Sequence, residues 1–483
     1  MENLSEVELL GFKRAKLSKL NEMLASDQAN YATSYKKYSR EQILNYLKNP
    51  RSNSKSLIEA SNYLYTTSML YQRIVEYFAT MPTYDYVVTP VGNVDKMNAA
   101  KVRVNYYDTI RRLDVMDLRS LGQLVTRVAL REGVFYGVEI STDESYFVWR
   151  LPYNYCKVVS WEDGCPLFAF DLSFFSGREL LKECMPTQLK KAYEEYKAGE
   201  RKSKWYDMPG EFSICILADE TLDYVCPPLA GSFTDCYLVE DFKDLAKSKE
   251  EIELYKLLSL KVPLDDDGRP KMPEPDMKKY YNQMAGQLPD LIGLALNPFT
   301  LDEVSFDRTT ADRDATLRAE RDLWSTVGIS SLLFNNDKAS SSALLQSIAN
   351  DYAYVRPIVK SFERWVNKKL KIEAGTIRFK VLMPDITIYN RTALADSLRK
   401  DMQYGLPCRS LLAAIHYGYT PLDLLGQAFL ENEVLDFNSR FEVPVSANTV
   451  SASEQTTGRP ESQEPLSESG EKTREAESNK ERV

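Results

Sequence analysis

The sequence predicts an α+β fold, and two kinds of pattern predict it. Between residues 84 and 218, short runs rich in β-branched and aromatic residues are separated by Asp, Gly and Pro, which is typical of β-strands. At residues 57–78 and 345–370, apolar side chains recur near every third or fourth position, which is typical of amphipathic helices. A chain of 483 residues that is 43% hydrophobic and 11% aromatic can bury real cores, in roughly two to four domains.

Charge and cysteine content narrow the class of protein. The net charge of −9 argues against a general nucleic-acid-binding surface, although a protein that handles DNA without gripping it stays open. Seven scattered cysteines without a Cys-x-x-Cys pair predict reduced thiols in a cytoplasmic compartment. Residues 1–31 contain no signal-peptide pattern, and no apolar run approaches the roughly 20 residues that span a bilayer. We therefore expect a soluble protein that is intracellular when made.

The first half of the chain predicts an N-terminal helical arm at 1–54 and an α+β domain at 55–236. The expected elements of this domain are, in chain order, a helix at 57–78, a strand at 84–88, a helix at 115–133, strands at 134–140, 146–151, 156–160 and 167–172, a helix at 178–197 and a strand at 212–218.

A helix–insertion–helix pattern follows, and we call it the stalk. Its first helix, 237–261, has one apolar face and one face crowded with carboxylates. The Pro-rich insertion 262–306 contains a short helix near 278–287 and a strand-like run at 291–296. The second helix, 307–327, has too few bulky apolar residues to form a core of its own. Its polar flanks therefore predict packing against copies of the same chain.

The remainder is a polar loop at 335–342, a long helix and a strand at 343–390, helices at 391–440 and a tail at 441–483. Pro357 lies inside the long helix and should kink it, because proline removes a backbone donor. The strand is expected at 376–383. From residue 446 onward no aromatic residue occurs and Ser, Glu, Thr, Lys and Arg dominate, which predicts disorder.

Catalytic and ligand-binding patterns are almost absent. The only histidine, His416, lies in an apolar helical stretch and is interpreted as a packed residue. Neither a phosphate-binding glycine loop nor zinc-ligand spacing occurs. The run 265–268 resembles a calcium loop, but Pro263 stands where that loop should start, so an acidic turn is favoured. The sequence predicts no enzyme, no cofactor and no metal site.

Several stretches resemble those of a tailed-bacteriophage portal protein. The similarity is carried by Ser61–Phe78 with Met81, Pro82 and Tyr84–Tyr86, by Leu151–Val159 with Gly164 and Phe168–Leu172, by Gly328–Leu333 with Ser341–Val355, by Gly405–Asp423, and by Gly458-Arg459-Pro460. It covers most of residues 55–440.

The resemblance implies a portal fold and a cyclic homo-oligomer, commonly of twelve subunits, at one vertex of the capsid. Its channel would pass double-stranded DNA during packaging and ejection. Domain 55–236 becomes the wing, and the stalk becomes two stem helices with 262–306 as the clip. The loop 328–342 becomes the tunnel loop, 343–390 the long wing helix and strand, and 391–440 the crown.

The implied partners are the terminase large subunit, a head–tail connector or adaptor, the major capsid and scaffolding proteins, and DNA in transit; no membrane is involved. The protein would be assembled in the host cytoplasm and reside in the virion. Because the chain has no P-loop, ATP hydrolysis would belong to a partner.

Two sets of residues are candidates for these roles. The DNA-channel candidates are Asn335, Asn336, Asp337, Lys338, Ser340, Lys243 and Glu320. The candidates for docking terminase or connector are Asp265, Asp266, Asp267, Arg269 and Lys271. Lys338 and Lys243 would make sparse phosphate contacts, while carboxylates on 237–261 would let DNA slide.

Two other functions remain open. One is another virion protein, such as a tail or baseplate component with a coiled stalk. The other is a metal-dependent nuclease using acidic pairs such as Asp312 with Asp314, or Glu320 with Asp322. These pairs lie along one charged helix instead of converging on a pocket, so a solvated face is the preferred interpretation.

Overall fold

The computed structural model describes residues 38–93, 97–141, 145–178, 185–239, 256–261, 292–297, 311–329, 341–372 and 377–440, with isolated positions 273, 276, 279 and 283. The chain divides into two units, Met1–Leu425 and Gly426–Val483, and of the second unit residues 426–440 are described.

Five helices and one strand open the described chain. They are α1 (Arg40–Lys48), α2 (Ser54–Thr67), α3 (Met69–Thr80), β1 (Val87–Val91), α4 (Ala99–Met116) and α5 (Leu118–Glu132).

The helix predicted at 57–78 is two helices, so this prediction is wrong in its continuity. Ser68 leaves the helical conformation and its hydroxyl accepts a hydrogen bond from the Tyr71 amide, which caps the start of α3. Leu64 and Tyr71 are buried on either side of the break. The apolar spacing continues across the break because both helices pack on one core.

Two three-stranded antiparallel sheets form the rest of the predicted wing. Their strands are β2 (Val134–Ser141), β3 (Tyr146–Arg150), β4 (Cys156–Glu162), β5 (Cys165–Asp171), β6 (Trp205–Asp207) and β7 (Ser213–Leu217), with helix α6 (Thr187–Lys197) between β5 and β6. The strand orders are β3-β2-β7 and β4-β5-β6. Buried aromatic residues, including Trp149, Phe168 and Phe170, fill a core between these elements.

A long-range strand pair closes the first unit. Strand β1 pairs antiparallel with a late strand, Arg378–Leu382, with Val87 opposite Leu382. The sequence predicted strands at 84–88 and 376–383, but the first begins three residues later. Tyr84 has a positive φ of 55° and buries its ring instead of extending the strand.

The structure corrects the predicted first stem helix. Lys256–Lys261 is a strand, β8, and it pairs in parallel with β9 (Ile292–Asn297), with Leu258 opposite Leu294. The helix predicted over 237–261 therefore cannot extend beyond residue 255, because pairing with a distant strand overrides the local helical spacing. Residues 233–239 are helical, and 240–255 lie outside the described residues. The strand predicted at 291–296 is confirmed within one residue.

The remaining elements are helical apart from one strand. They are α7 (Ala311–Val327), α8 (Ser341–Ile372), β10 (Arg378–Leu382), α9 (Arg391–Gln403), α10 (Arg409–Tyr417), α11 (Pro421–Phe429), a π-helix at Leu430–Val434 and α12 (Phe437–Arg440).

The long helix α8 confirms the predicted spacing and continues through Pro357 without a break. Its apolar stripe, which includes Val355, Phe362 and Val366, is buried in the main core. A second stripe along the same helix is basic, and each cation meets a carboxylate. The pairs are Arg356 with Asp385, Lys360 with Glu363, Arg364 with Glu220, Lys368 with Glu162, and Lys371 with Asp163. The helix therefore joins both wing sheets to the strand pair β1–β10.

Helices α9 and α10 build a small core of their own around Ile386, Leu398 and Ile415. Arg119 connects this core to the wing, since its guanidinium donates to the carbonyls of Gly418 and Tyr419 and pairs with buried Asp85 at 2.8 Å.

Candidate functional site

The chain segments on either side of residues 240–310 meet in one core. Phe233 and Val239 lie before this interval, Leu323 and Trp324 lie after it, and all four are buried in the same cluster. Helix α7 also packs directly against the turn at Ala230–Ser232. The chain thus departs from the core and returns to it at the same place.

Helix α7 takes part in this core. The sequence predicted a helix with too few bulky apolar residues to form a core of its own. Its C-terminal half does enter the core, because Ala319, Leu323 and Trp324 fall on one face at helical spacing. Arg318 and Asp322 remain exposed on the other face.

The end of α7 is fixed by a Schellman motif. Gly328 takes the left-handed conformation at φ +82°, and its amide donates to the Ser325 carbonyl at 3.1 Å. The amide of Ile329 donates to the Trp324 carbonyl at 3.0 Å, and both of these side chains are buried. This pairing of hydrogen bonds with an apolar contact is the usual stop signal of a helix. The direction in which the chain enters residues 330–340 is therefore set by the core.

Helix α8 begins at Ser341, two residues earlier than the predicted boundary at 343. Residues 330–340, which lie outside the described residues, thus connect α7, whose C-terminal half is buried in the main core, to α8, whose apolar stripe is buried in the same core.

Of the twelve candidate residues, the structure describes one. Glu320 lies on α7, half-buried, between the buried residue Ala319 and the exposed residue Arg321. The others lie outside the described residues: Asn335, Asn336, Asp337, Lys338, Ser340 and Lys243 of the channel set, and all five of the docking set. Their predicted roles stay predictions.

His416 is not the packed residue that the sequence suggested. Its ring is exposed, and both ring nitrogens lie 3.0–3.2 Å from one guanidinium nitrogen of Arg399. A guanidinium only donates, so the imidazole accepts here.

The thiols of the wing are poorly suited to nucleophilic chemistry. Burial raises the pKa of Cys156 and Cys215 well above the usual value, because the apolar surroundings disfavour the thiolate. Within the described ranges, no group of three or more His, Cys, Asp or Glu residues is placed to hold a metal ion. None of the helices in the same ranges combines the length and apolar character that crossing a membrane requires.

A cleft of about 430 Å³ opens beside β4. Apolar residues such as Val134, Leu217 and Leu222 line it together with Lys55 and Asp223, and the carboxylate of Asp223 is already paired with Arg51 at 2.5 Å. This lining lacks the converging acid and base groups of a hydrolytic site.

Two exposed surfaces were missed by the sequence reasoning. The first, called the basic face, is the outer side of α4 and includes Arg103, Val104, Tyr107 and Arg111. The second, called the acidic face, consists of Phe429, Leu430, Glu433 and Val434 in the second unit. Each combines large exposed apolar side chains with charge of one dominant sign. The sequence indicates the surface on α4 only indirectly, because apolar side chains do not recur at helical spacing in this helix.

No family model matches the chain, and no curated protein matches it. Among solved structures, a chain from the virion of a native gene transfer agent particle is 13% identical, with a TM-score of 0.42. The match covers 74% of this chain and 93% of that chain. A chain from the neck of an empty gene transfer agent particle is 12% identical at the same TM-score, over 72% of this chain and 89% of that chain. Similarity at this level establishes neither a shared fold nor a shared function.

Proposed function

We propose that this protein is a virion structural protein that forms a portal ring, the channel for double-stranded DNA at one capsid vertex. The observation that carries the proposal is the convergence of residues 233–239 and 319–329 in one core. The intervening chain begins and ends at one point, which is what a stem and clip projecting from a wing require. The fixed end of α7 at Gly328, followed by residues 329–340 with a polar run from Asn335 and then by a long helix, fits a tunnel loop.

The proposed roles follow the sequence. The wing and long helix α8 form the rigid body of the subunit, since salt bridges and apolar packing join them throughout. The loop 328–342 faces DNA, and 262–306 docks terminase and then the connector. In this role the protein positions DNA and its partner proteins and breaks no bond, so the role requires no active site.

The first experiment measures assembly. Purified protein, across a salt series, is examined by native mass spectrometry and by negative-stain electron microscopy. Closed rings with a central hole, at a constant subunit number of about twelve, are expected. A monomer at every salt concentration would refute the proposal.

The second experiment separates the channel function from assembly. In a phage whose own copy of the gene is deleted, Lys338→Ala and Asn335→Ala variants are compared for DNase-protected DNA per particle. The channel role predicts a larger packaging defect for Lys338→Ala, with rings of normal size for both. Equal packaging by both variants and the unmodified chain would remove the support for Lys338 as a DNA contact.

A nuclease remains the competing function, and the same protein tests it. Mg²⁺-dependent cleavage of linear DNA that disappears in the Asp312→Asn, Asp314→Asn variant would favour the nuclease over the portal.

A further inference from the structure

The first half of helix α4 lies on the surface and leaves one side uncovered by its own chain. None of residues 99–109 is buried, and the buried residues of the helix, Ile110 and Leu113, lie in its second half. Three turns of helix, about 16 Å long, therefore lie on the surface, held at the start by the Asn98 cap and on one side by the Tyr106 ring, which packs edge-on against Phe379 at 5.7 Å. Isolated helices of this length are marginal in water, so a contact along this side would stabilise it.

The exposed side of α4 has the composition of a protein–protein interface. Val104 is 62% exposed and Tyr107 is 45% exposed, and Arg103 and Arg111 flank them. Tyrosine and arginine are the residues most enriched at the energetic centres of interfaces. In the described part of the chain, neither arginine side chain has an ion pair or a hydrogen bond with a neighbour.

The charge of this side is unusual for the molecule. Helix α4 carries four cations, Lys101, Arg103, Arg111 and Arg112, in a chain whose net charge is −9. Its carboxylates are Asp108 and Asp114, and Asp114 already accepts a hydrogen bond from Thr420. A partner for the basic face should therefore be acidic as well as apolar.

The acidic face of the second unit has this complementary chemistry. Phe429 and Val434 are 55% and 56% exposed, and Glu433 is exposed beside them. Residues 426–439 contain Glu431, Glu433 and Asp436 and no lysine or arginine. Glu431 accepts a hydrogen bond from Gln427 at 2.6 Å, whereas Glu433 has no described partner.

We propose that the basic face of one subunit docks on the acidic face of a second copy. Because the two faces differ, the contact is heterologous and passes head to tail from subunit to subunit, which is the kind of contact that closes a ring. The inference rests on the proposed ring and adds the residues that join its subunits. Arg103 and Arg111 would pair with Glu433, and Val104 and Tyr107 would cover Phe429 and Val434. A contact of this size forms part of a larger interface, since stable ones bury about 800 Å² on each partner.

Cross-linking tests the contact itself. The full-length Val104→Cys, Val434→Cys variant, made as a mixture of isotopically heavy and light chains, is treated with a short bismaleimide, and cross-linked peptides are identified by mass spectrometry. A mixed heavy–light peptide pair joining positions 104 and 434 is expected, and it should be missing from the variants that carry only Val104→Cys or only Val434→Cys. Absence of the mixed pair in the double variant would overturn the inference.

Charge reversal tests whether the contact matters for assembly. Arg103→Glu with Arg111→Glu, and separately Glu433→Arg, should each shift the assembly midpoint to about tenfold higher protein concentration, and combining them should recover most of the shift. Arg409→Glu is the matched control, because Arg409 is also an exposed helical arginine without a described partner, and it should change nothing. No shift in either reversed variant, or no recovery on combination, would refute the pairing.

The two proposals fail in different ways. If the unmodified protein forms no rings but positions 104 and 434 still cross-link between copies, the portal assignment fails and the contact stands. If rings form without that cross-link, the subunits are joined elsewhere and this inference fails alone.

Discussion

Two lysines near the end of helix α8 form ion pairs that join this helix to domain 55–236. Lys369 pairs with Glu139 at 2.9 Å, and the exposed fractions of the two side chains are 12% and 2%. Lys371 pairs with Asp163 at the same distance, but both of these side chains are about half exposed. The two pairs share a helix, a cation type and a distance, and they differ in burial.

Replacing Lys369 with methionine should therefore cost much more than the same change at Lys371. It leaves the Glu139 carboxylate buried without the cation that neutralises it, although the Tyr146 hydroxyl still donates to its Oε2 at 3.1 Å. Loss of one partner of a buried ion pair typically costs about 3–5 kcal/mol. Lys371→Met should change the free energy of unfolding very little, because water screens an exposed pair. Equilibrium urea unfolding, followed by tryptophan fluorescence, measures both.

A double variant isolates the electrostatic part of the effect. Glu139→Gln combined with Lys369→Met removes both charges and keeps an acceptor for Tyr146, so it should recover most of the loss. Trp365 donates its indole N–H to the Ser213 carbonyl at this junction and reports its opening. The reasoning is refuted if Lys369→Met costs no more than Lys371→Met, or if the double variant is as unstable as the single one.

Three further predictions concern conformation, pH and reactivity. Gly133 and Gly328 share φ +82°, but a Cβ on Gly133 would lie 2.3 Å from a backbone oxygen whereas one on Gly328 meets open space. In urea unfolding, Gly328→Ala should lower the free energy of unfolding by about 1–2 kcal/mol because of backbone strain, and Gly133→Ala should lower it clearly more. Equal losses for the two variants would contradict this. Burial raises the pKa of Asp351, whose Oδ2 accepts a hydrogen bond from the Tyr77 hydroxyl at 2.7 Å. The contribution of Asp351 to the free energy of unfolding is therefore present below its ordinary pKa and is lost as the pH rises through the raised pKa of the folded state. Asp351→Asn should then be neutral or stabilising at pH 7 and should flatten the pH dependence of the unfolding midpoint; destabilisation at pH 7 would contradict it. Because burial raises the pKa of the Cys215 thiol, alkylation at this site, followed by peptide mass spectrometry, should be negligible until urea unfolds the wing.

Regular apolar spacing made some elements predictable from the sequence. The spacing at 345–370 predicted a helix that spans Ser341–Ile372, and its buried stripe is the predicted one. Strands β2, β3, β4, β5 and β7 were predicted because each has a local run of β-branched and aromatic residues, whereas the three-residue strand β6 was missed. In the predicted elements the local pattern and the tertiary packing agree, so the sequence alone contains enough information to predict them.

Other elements depended on partners distant in sequence. Strand β8 reads locally as the end of a helix, and only its pairing with β9, more than 30 residues later, makes it a strand. Helix α4 was missed for the opposite reason, since only Ile110 and Leu113 are buried and no apolar stripe marks it. The break at Ser68 was hidden because serine both tolerates a helix interior and caps a helix start.

The sequence predicted where the helix before the candidate loop ends, but not what holds that end. A polar loop between two helices is visible in the sequence, and Gly328 directly after helix α7 indicates where that helix stops. That Ile329 and Trp324 are both buried, and so anchor the loop, follows only from the three-dimensional core.

The distribution of charge separates the groups that hold the subunit together from those available to another molecule. Along α8, the cations from Arg356 to Lys371 are matched by carboxylates of the same chain, so they contribute to the fold and offer little to a partner. On α4, Arg103 and Arg111 lie beside exposed apolar groups and meet no carboxylate in the described chain. An acidic protein gains nothing in its own stability from such a surface, because exposed unpaired charges and exposed valine are at best neutral to folding. The basic face therefore makes physical sense in an assembly, where the acidic face of another copy supplies what the single chain lacks.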